Sequence, residues 1–328
     1  MSDSMKQHSV GFADLQAAAE RIGASVLRTP LVACEFLSNE LGCEIRFKAE
    51  NLQPTGSFKD RGANNAVLSL PEEDLPNGVV THSSGNHAAA LARAAKRRGI
   101  PAHIVMPDNA VPNKLAAVKA LGVQPILCPP DSPSRLAKAE AVQAETGARM
   151  VSPFNDPRII AGQGTAGLEI LQQWPDVDVI LAPVGGGGLL SGVLMMKQAH
   201  PDLQVIAIEP AQADDAYRSL QSGSIEMPTR YDTIADGLRT VLGTLTFPII
   251  QQYLDDLWLV EETAIMAAVR TLIVQARLVA EPSGAVTLAG LVNHAEKLRG
   301  KRVALIISGG NIDLGHCMVG TPPQKSPA

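Results

Sequence analysis

An α/β protein of two domains, each a mostly parallel sheet flanked by helices, is what this chain predicts, on three observations. Short β-rich apolar runs alternate with alanine-rich helical stretches, the pattern that builds βαβ units. The alternation runs once on a short scale between Gly78 and Val151 and again on a longer scale afterwards. At 328 residues, with 45% hydrophobic and 19% charged content, the chain is long enough for two cores sharing a cleft. The expected division is 1–77 with 153–318 as a large domain, 78–152 as a small domain inserted into it, and 319–328 as a flexible tail.

The elements follow in order. Residues 11–23 read as a helix, Arg28-Thr-Pro30 as a break, and a second helix ends near Gly42. Glu44–Glu50 alternates as a strand and leads into Pro54 and Gly56, which mark a tight turn before a helix over Phe58–Leu68. In the insert, strands are expected at Gly78–Ser83, Ala102–Met106, Val123–Cys128 and Arg149–Val151, separated by helices Asn86–Arg98, Pro112–Leu121 and Ser134–Thr146. Beyond it come helix 157–173, strand Val177–Val184, helix 189–199, strand Gln204–Glu209 and a less regular stretch from 210 to 245. Strand Leu257–Val260, helices 262–277 and 283–298, and strand Arg302–Ser308 close the fold.

Charge and cysteine usage exclude several classes. A net charge of -5 and a pI near 5.8 leave no basic footprint for nucleic acid or an anionic membrane. There is no apolar run of transmembrane length, and Met1–Val10 lacks the apolar core of a signal peptide, so a cytoplasmic protein is expected. Cys34, Cys43, Cys128 and Cys317 have no C-x-x-C spacing, which fits free thiols rather than a zinc site.

Four segments carry chemistry. In Asn51-Leu-Gln-Pro-Thr-Gly-Ser-Phe-Lys59-Asp-Arg-Gly62, Thr55 or Ser57 is placed to cap the following helix, with Lys59 in its first turn. The positive helix end disfavours a protonated amine there, as a Schiff-base lysine requires, and pyridoxal phosphate is a common partner for such a lysine. Thr81-His-Ser-Ser-Gly-Asn-His87 leaves a strand and opens a helix, so Ser83, Ser84, Asn86 and His87 form a cradle for an amino-acid carboxylate or a cofactor hydroxyl. In Pro183-Val-Gly-Gly-Gly-Gly188, four glycines let backbone N–H groups close around a phosphate. Ser308-Gly-Gly-Asn311 ends the last strand, where a neutral hydroxyl on a pyridine nitrogen favours elimination over transamination.

A dinucleotide reading competes for the glycine loop, because Glu209 follows Gly188 by 21 residues and suits a ribose. The G-x-G-x-x-G spacing fails, however: Ser191 and Leu190 stand where the third glycine belongs. A nucleotide-dependent oxidoreductase would also leave Lys59 without a role, as would a non-catalytic binding protein on the same fold.

Together, in this order, the four segments resemble the fold type II (tryptophan synthase β-like) pyridoxal-phosphate enzymes, and within them the serine/threonine dehydratase and serine racemase family, over about residues 11 to 318. The resemblance implies that Lys59 holds the cofactor, Gly185, Gly186, Gly187 and Gly188 bind its phosphate, Ser308 meets its pyridine nitrogen, Asn86 contacts its ring hydroxyl and Phe58 packs near the ring. It implies that Ser84 is the proton donor opposite the lysine, and that Arg135 lies near the substrate side chain. Glu209, the Ala213 carbonyl and Asp215 resemble the racemase divalent-cation site, whose oxygen ligands suit Mg²⁺ or Ca²⁺. A homodimer is expected, as the family is commonly dimeric.

Two departures matter. Asp60-Arg61-Gly62 resembles threonine synthase, while His87 and Ser308-Gly-Gly-Asn311 resemble the dehydratases. Ala88-Ala89 stand where animal-type racemases have Gly-Gln, so no ATP site is carried over. No second α/β module follows, so a feedback-regulatory domain is not expected. The reaction expected is loss of water from L-serine or L-threonine to give a 2-oxo acid and ammonia. Racemisation through Ser84 is the nearest rival, and 3-hydroxyaspartate is a further candidate substrate because Arg135 or His82 could pair with its second carboxylate.

Overall fold

The computed structural model describes residues 10–83, 85–110 and 112–313. Ser84 and the 319–328 tail, both singled out in the sequence, lie outside the described residues. The elements are α1 (Phe12–Ile22), β1 (Leu31–Ala33), α2 (Glu35–Leu41), β2 (Glu44–Ala49), α3 (Lys59–Leu68), β3 (Val79–His82), α4 (Asn86–Arg98) and β4 (Ala102–Pro107). Next are α5 (Pro112–Ala120), β5 (Ile126–Cys128), α6 (Ser132–Thr146), β6 (Arg149–Met150), α7 (Pro157–Gln173), β7 (Val179–Pro183) and α8 (Gly188–Leu194). The chain continues through β8 (Gln204–Pro210), α9 (Asp215–Ser222), α10 (Thr246–Tyr253), β9 (Asp256–Val260), α11 (Glu262–Thr271), α12 (Pro282–Asn293) and β10 (Arg302–Ile307).

Two sheets result. The larger has the order β1-β2-β10-β7-β8-β9 and is parallel except for β1, which pairs antiparallel with β2 at the edge. The smaller, β5-β4-β3-β6, is parallel throughout. Parallel sheets covered on both faces need strands that are apolar throughout, and β7 and β10 meet that need, with every residue from Val179 to Pro183 and from Val303 to Ile307 buried. We propose 78–152, on the smaller sheet, as the small domain and 1–77 with 153–318 as the large one. A shared core ties them: Ala63, Ala66 and Val67 of α3 and Ile159 of α7 join Leu91 of α4 and Ile104 of β4.

The structure corrects the expected elements in three places. The stretch from 210 to 245 is not wholly irregular, because α9 occupies Asp215–Ser222. Helix α10 is also new; Pro248 sits in its first turn, where its missing N–H costs no hydrogen bond. The expected helix 262–277 ends as α11 at Thr271 and passes into a π turn, Leu272–Ala276, closed by Arg277 at φ 60°. Among the described residues, no helix is long and apolar enough to cross a membrane.

Candidate active site

Four loops meet at the carboxyl ends of β2, β3, β7 and β10, where parallel sheets present their loops to ligands. The β2 loop turns through Gly56 at φ +76° and is stitched to the β10 loop: Phe58 N donates to Ser308 O (3.0 Å), and Gly310 N to Gly56 O (2.9 Å). Neither Thr55 nor Ser57 caps α3, contrary to expectation. The carboxylate of Asp60 reaches back instead and accepts from Thr55 N (2.7 Å) and Thr55 Oγ1 (2.8 Å). That leaves Ser57 Oγ buried without a partner.

One residue further on, Arg61 pins α3 from the other side. Its buried guanidinium makes two bonds to Glu50 (2.7 and 2.8 Å) and two to Glu169 (2.7 and 2.8 Å). Burial alone would lower its pKa, but the two carboxylates outweigh burial and raise it. Gly62 lets α7 approach, since a Cβ on the facing Gly162 would lie 2.6 Å from Gly62 Cα.

Lys59 lies between these anchors. Its half-buried amine donates to Pro153 O (2.9 Å) and stands 4.9 Å from the centre of the Phe58 ring. Among the described residues no carboxylate pairs with it, and burial lowers its pKa to about 8. His87 is buried and held near pKa 3, first by burial and then by the Lys59 charge, so it is neutral here.

The glycine loop leaves β7 with Gly187 at φ +86°. A Cβ on Gly186 would stand 2.4 Å from the Phe154 ring, and one on Gly187 would stand 2.8 Å from Ile250. Thr246 Oγ1 donates to Gly186 O (2.8 Å) and fixes the turn. Pro153 and Phe154 thereby connect the lysine to the glycine loop. Ser308 is buried, with Oγ donating to Ser283 O (3.3 Å).

Asn86, at the start of α4, donates from Nδ2 to Glu281 Oε1 (2.6 Å) and accepts at Oδ1 from Asn311 Nδ2 (2.9 Å). Burial, with the Asp236 charge adding to it, pushes the Glu281 carboxyl up to about 7. Ser83 N donates to Val105 O, and Ser83 Oγ accepts from Gly85 N (3.3 Å). A cavity of about 990 Å³ opens beside Asn86 and Glu281, although its walls do not include Lys59.

Other sequence candidates lie apart from this convergence. Arg135 is in the first turn of α6, close enough for its charge to lower the pKa of His82 after burial has done so. Glu209 is buried and accepts from Ala216 N (2.8 Å) and Tyr217 N (2.9 Å). Asp215 is buried with neither carboxylate oxygen partnered, and burial pushes its pKa to about 7. Ala213 is buried in the turn between them, its N–H donating to Pro210 O. Among the described residues, no group of three or more His, Cys, Asp or Glu side chains is gathered for a metal.

Sequence reasoning passes over Glu281, Phe154 and Thr246. For Glu281 a signal existed: an acid within Leu278-Val-Ala-Glu-Pro-Ser-Gly-Ala285, an otherwise apolar and small-residue run.

A lysine with no carboxylate partner among the described residues, a glycine loop and a buried hydroxyl thus meet at the ends of parallel strands of an α/β enzyme. The chain belongs to the pyridoxal-phosphate dependent enzyme family, whose model matches residues 22–309. It is 43% identical to the β-hydroxyaspartate dehydratase of Paracoccus denitrificans, over 92% of this chain and 96% of that one. It is 44% identical to the L-threonine ammonia-lyase of Thermotoga maritima, over 92% of this chain and 75% of the other. The structure of maize serine racemase superposes with a TM-score of 0.92 at 41% identity, covering 94% of this chain and 95% of that one. The fold type II resemblance read from the motifs is thereby borne out.

Proposed function

We propose that the protein is a pyridoxal-phosphate dependent ammonia-lyase that dehydrates a β-hydroxy amino acid, with L-threonine and L-serine as its substrates. The observation that carries this reading is the Lys59 amine, half-buried beside neutral partners and lowered to a pKa of about 8. The residues present suit the cofactor. Lys59 would hold it covalently, Gly185–Gly188 would take the phosphate where no side chain fits, Asn86 would face the ring oxygen, Ser308 the ring nitrogen, and Phe58 would flank the ring. When bound, the cofactor supplies an electron sink for the carbanion left by loss of the Cα proton.

The chain's own part is proton handling and orientation. Lys59 Nζ, freed when substrate binds, takes the Cα proton. Ser83, Asn86 and neutral His87 line the loop that would orient the substrate carboxylate. Loss of the β-hydroxyl as water, followed by hydrolysis of the released product, gives the 2-oxo acid and ammonia. The neutral Ser308 hydroxyl keeps the sink weak, which suits elimination.

Two further readings rest on particular residues. Racemisation needs a proton donor opposite Lys59, and Ser84 holds that role by its motif, together with the maize racemase likeness. A 3-hydroxyaspartate substrate is favoured by the cationic Arg135 beside His82 and by the relative in Paracoccus.

A divalent cation, Mg²⁺ or Ca²⁺, fits at Glu209, the Ala213 carbonyl and Asp215, because the charge of Asp215 bears on the buried Glu209 and no hydrogen bond reaches the buried Asp215 carboxylate. A homodimer is in keeping with the exposed apolar Phe36, Leu52, Val274 and Val279, and a cytoplasmic location with the free buried thiols.

The test is a panel of serine, threonine and 3-hydroxyaspartate stereoisomers scored for 2-oxo acid, ammonia and enantiomer. Equimolar 2-oxo acid and ammonia from L-serine or L-threonine is the expected result. Enantiomer formation with no 2-oxo acid would replace the lyase by a racemase. Turnover confined to 3-hydroxyaspartate would move the substrate to the dicarboxylic class.

A further inference from the structure

Glu281 occupies the N-cap of α12 but does not cap it. The helix start is held by backbone alone: Glu281 N donates to Gly309 O (3.0 Å), and Glu281 O accepts from Gly284 N (2.8 Å) and Ala285 N (3.1 Å). Its carboxylate is diverted across the molecule to Asn86 on α4, at 2.6 Å and 3% exposure. Gly309 makes room for that contact, since a Cβ there would lie 2.3 Å from Glu281 Oε1 and 3.3 Å from Asn86 Nδ2. A side chain that leaves its own helix uncapped, is buried at a desolvation cost and turns to one amide is placed for that amide.

We propose that Glu281 is a positioning residue of the cofactor site, fixing the Asn86 amide so that one N–H, and not its carbonyl oxygen, is left to face the cofactor ring. This rests on the reading of Asn86 as the ring-oxygen contact. The logic is donor and acceptor counting. In its ionised form the carboxylate can only accept, so Asn86 turns its NH₂ toward Glu281, which takes one of its two protons. Asn311 Nδ2 donates to the Asn86 oxygen at 2.9 Å and blocks the reverse orientation. One N–H remains, the right partner for an anionic ring oxygen.

The carboxylate also brings negative charge close to the ring. The charged groups around it are Asp236, whose charge adds to the burial that raises the Glu281 pKa, and Lys114, which opposes the shift and pairs with Asp236 across the cleft.

The test uses holoenzyme and two readouts other than turnover: the dissociation constant of pyridoxal phosphate, and the pH midpoint of its visible absorption. Glu281→Gln keeps the size but loses the charge and the obligate acceptor. Its dissociation constant should rise about tenfold, and the midpoint should move to lower pH by about one unit, because a nearby anion no longer favours the protonated chromophore. Asn311→Ala removes only the second constraint on Asn86. It should weaken binding about threefold and leave the midpoint in place. Should Glu281→Gln not fold, Glu281→Asp decides, being too short for the bond while keeping the charge: weakened binding at an unshifted midpoint supports the assignment.

Wild-type affinity and midpoint in Glu281→Gln, or wild-type affinity in Glu281→Asp, would overturn it. Failure of the underlying reading is distinguishable, since Asn86→Ala would then bind the cofactor with wild-type affinity.

Discussion

Two lysines, Lys48 on β2 and Lys59 on α3, are withdrawn from solvent within one strand-turn-helix segment, and they have opposite characters. Lys48 is fully buried and donates to Glu169 (2.6 Å), Thr29 O (2.7 Å) and Gln173 (3.1 Å). Burial lowers its pKa, but Glu169 and Glu50 oppose the shift, and all three protons are engaged. Lys59 has a backbone carbonyl and an aromatic ring and no acid, so burial acts on it unopposed. Burial of a lysine therefore does not make it reactive; burial without a counter-ion does. The acids repeat the lesson with the sign reversed: Glu50 and Glu169 are neutralised by Arg61 and Lys48, whereas Glu209 has two backbone amides against the charges of Asp215 and Asp214, and Asp215 has only the Arg218 charge, which Asp214 engages.

The contrast can be broken most forcefully at Lys59. Lys59→Ala should lower kcat/KM for L-serine or L-threonine by at least about 10³-fold while the fold persists, because the anchor and the base are lost together. Steady-state 2-oxo acid assays check this, and activity within tenfold of wild type would remove the distinction between the two lysines.

Lys48→Met should do the reverse. It breaks a buried ion network and should cost about 2–4 kcal/mol of stability by denaturant unfolding. Turnover of the folded protein should stay within about threefold, since Arg61 still holds α3 through Glu50 and Glu169.

These two residues also show what was legible in the sequence. Lys59, the four glycines and Ser308 stand out because each belongs to a local motif at the end of a strand whose apolar run is plain. Helices α4 and α7 match the expected bounds of 86–98 and 157–173, marked by Gly85 and Gly99 at one and by Asp156 and Pro157 at the other. The long-range partners at both sites were hidden. Glu169 is 121 residues from Lys48, and Glu281 is 195 from Asn86, so no spacing rule reaches them. Strand β1 was missed because three residues beside a proline read as a break, and α9 because the acid of its first turn, Asp215, read as a cation ligand. The cap expected from Thr55 or Ser57 failed for a different reason: Asp60 engages the Thr55 hydroxyl and N–H from inside the helix.

The smallest expected effect lies at the acidic pair. Asp215 in the folded chain titrates near 7, against about 4 when unfolded, so between these values the folded state binds the extra proton and stability falls as pH rises. After EDTA treatment, the melting midpoint should drop by about 2–5 °C from pH 5 to pH 7.5, relative to Asp215→Asn. Added Mg²⁺ or Ca²⁺ should remove the difference by binding the native state. A midpoint insensitive to cation and matching the Asn variant across that range would leave the acids without a guest.

The central claim, that the unpaired lysine is the one that carries the cofactor, is tested most directly by borohydride reduction of the wild-type holoenzyme followed by peptide mapping. The account predicts loss of the visible band and a reduced pyridoxyl group on the peptide bearing Lys59. A modified Lys48 or Lys114, or a band that washes out with no peptide labelled, would contradict it.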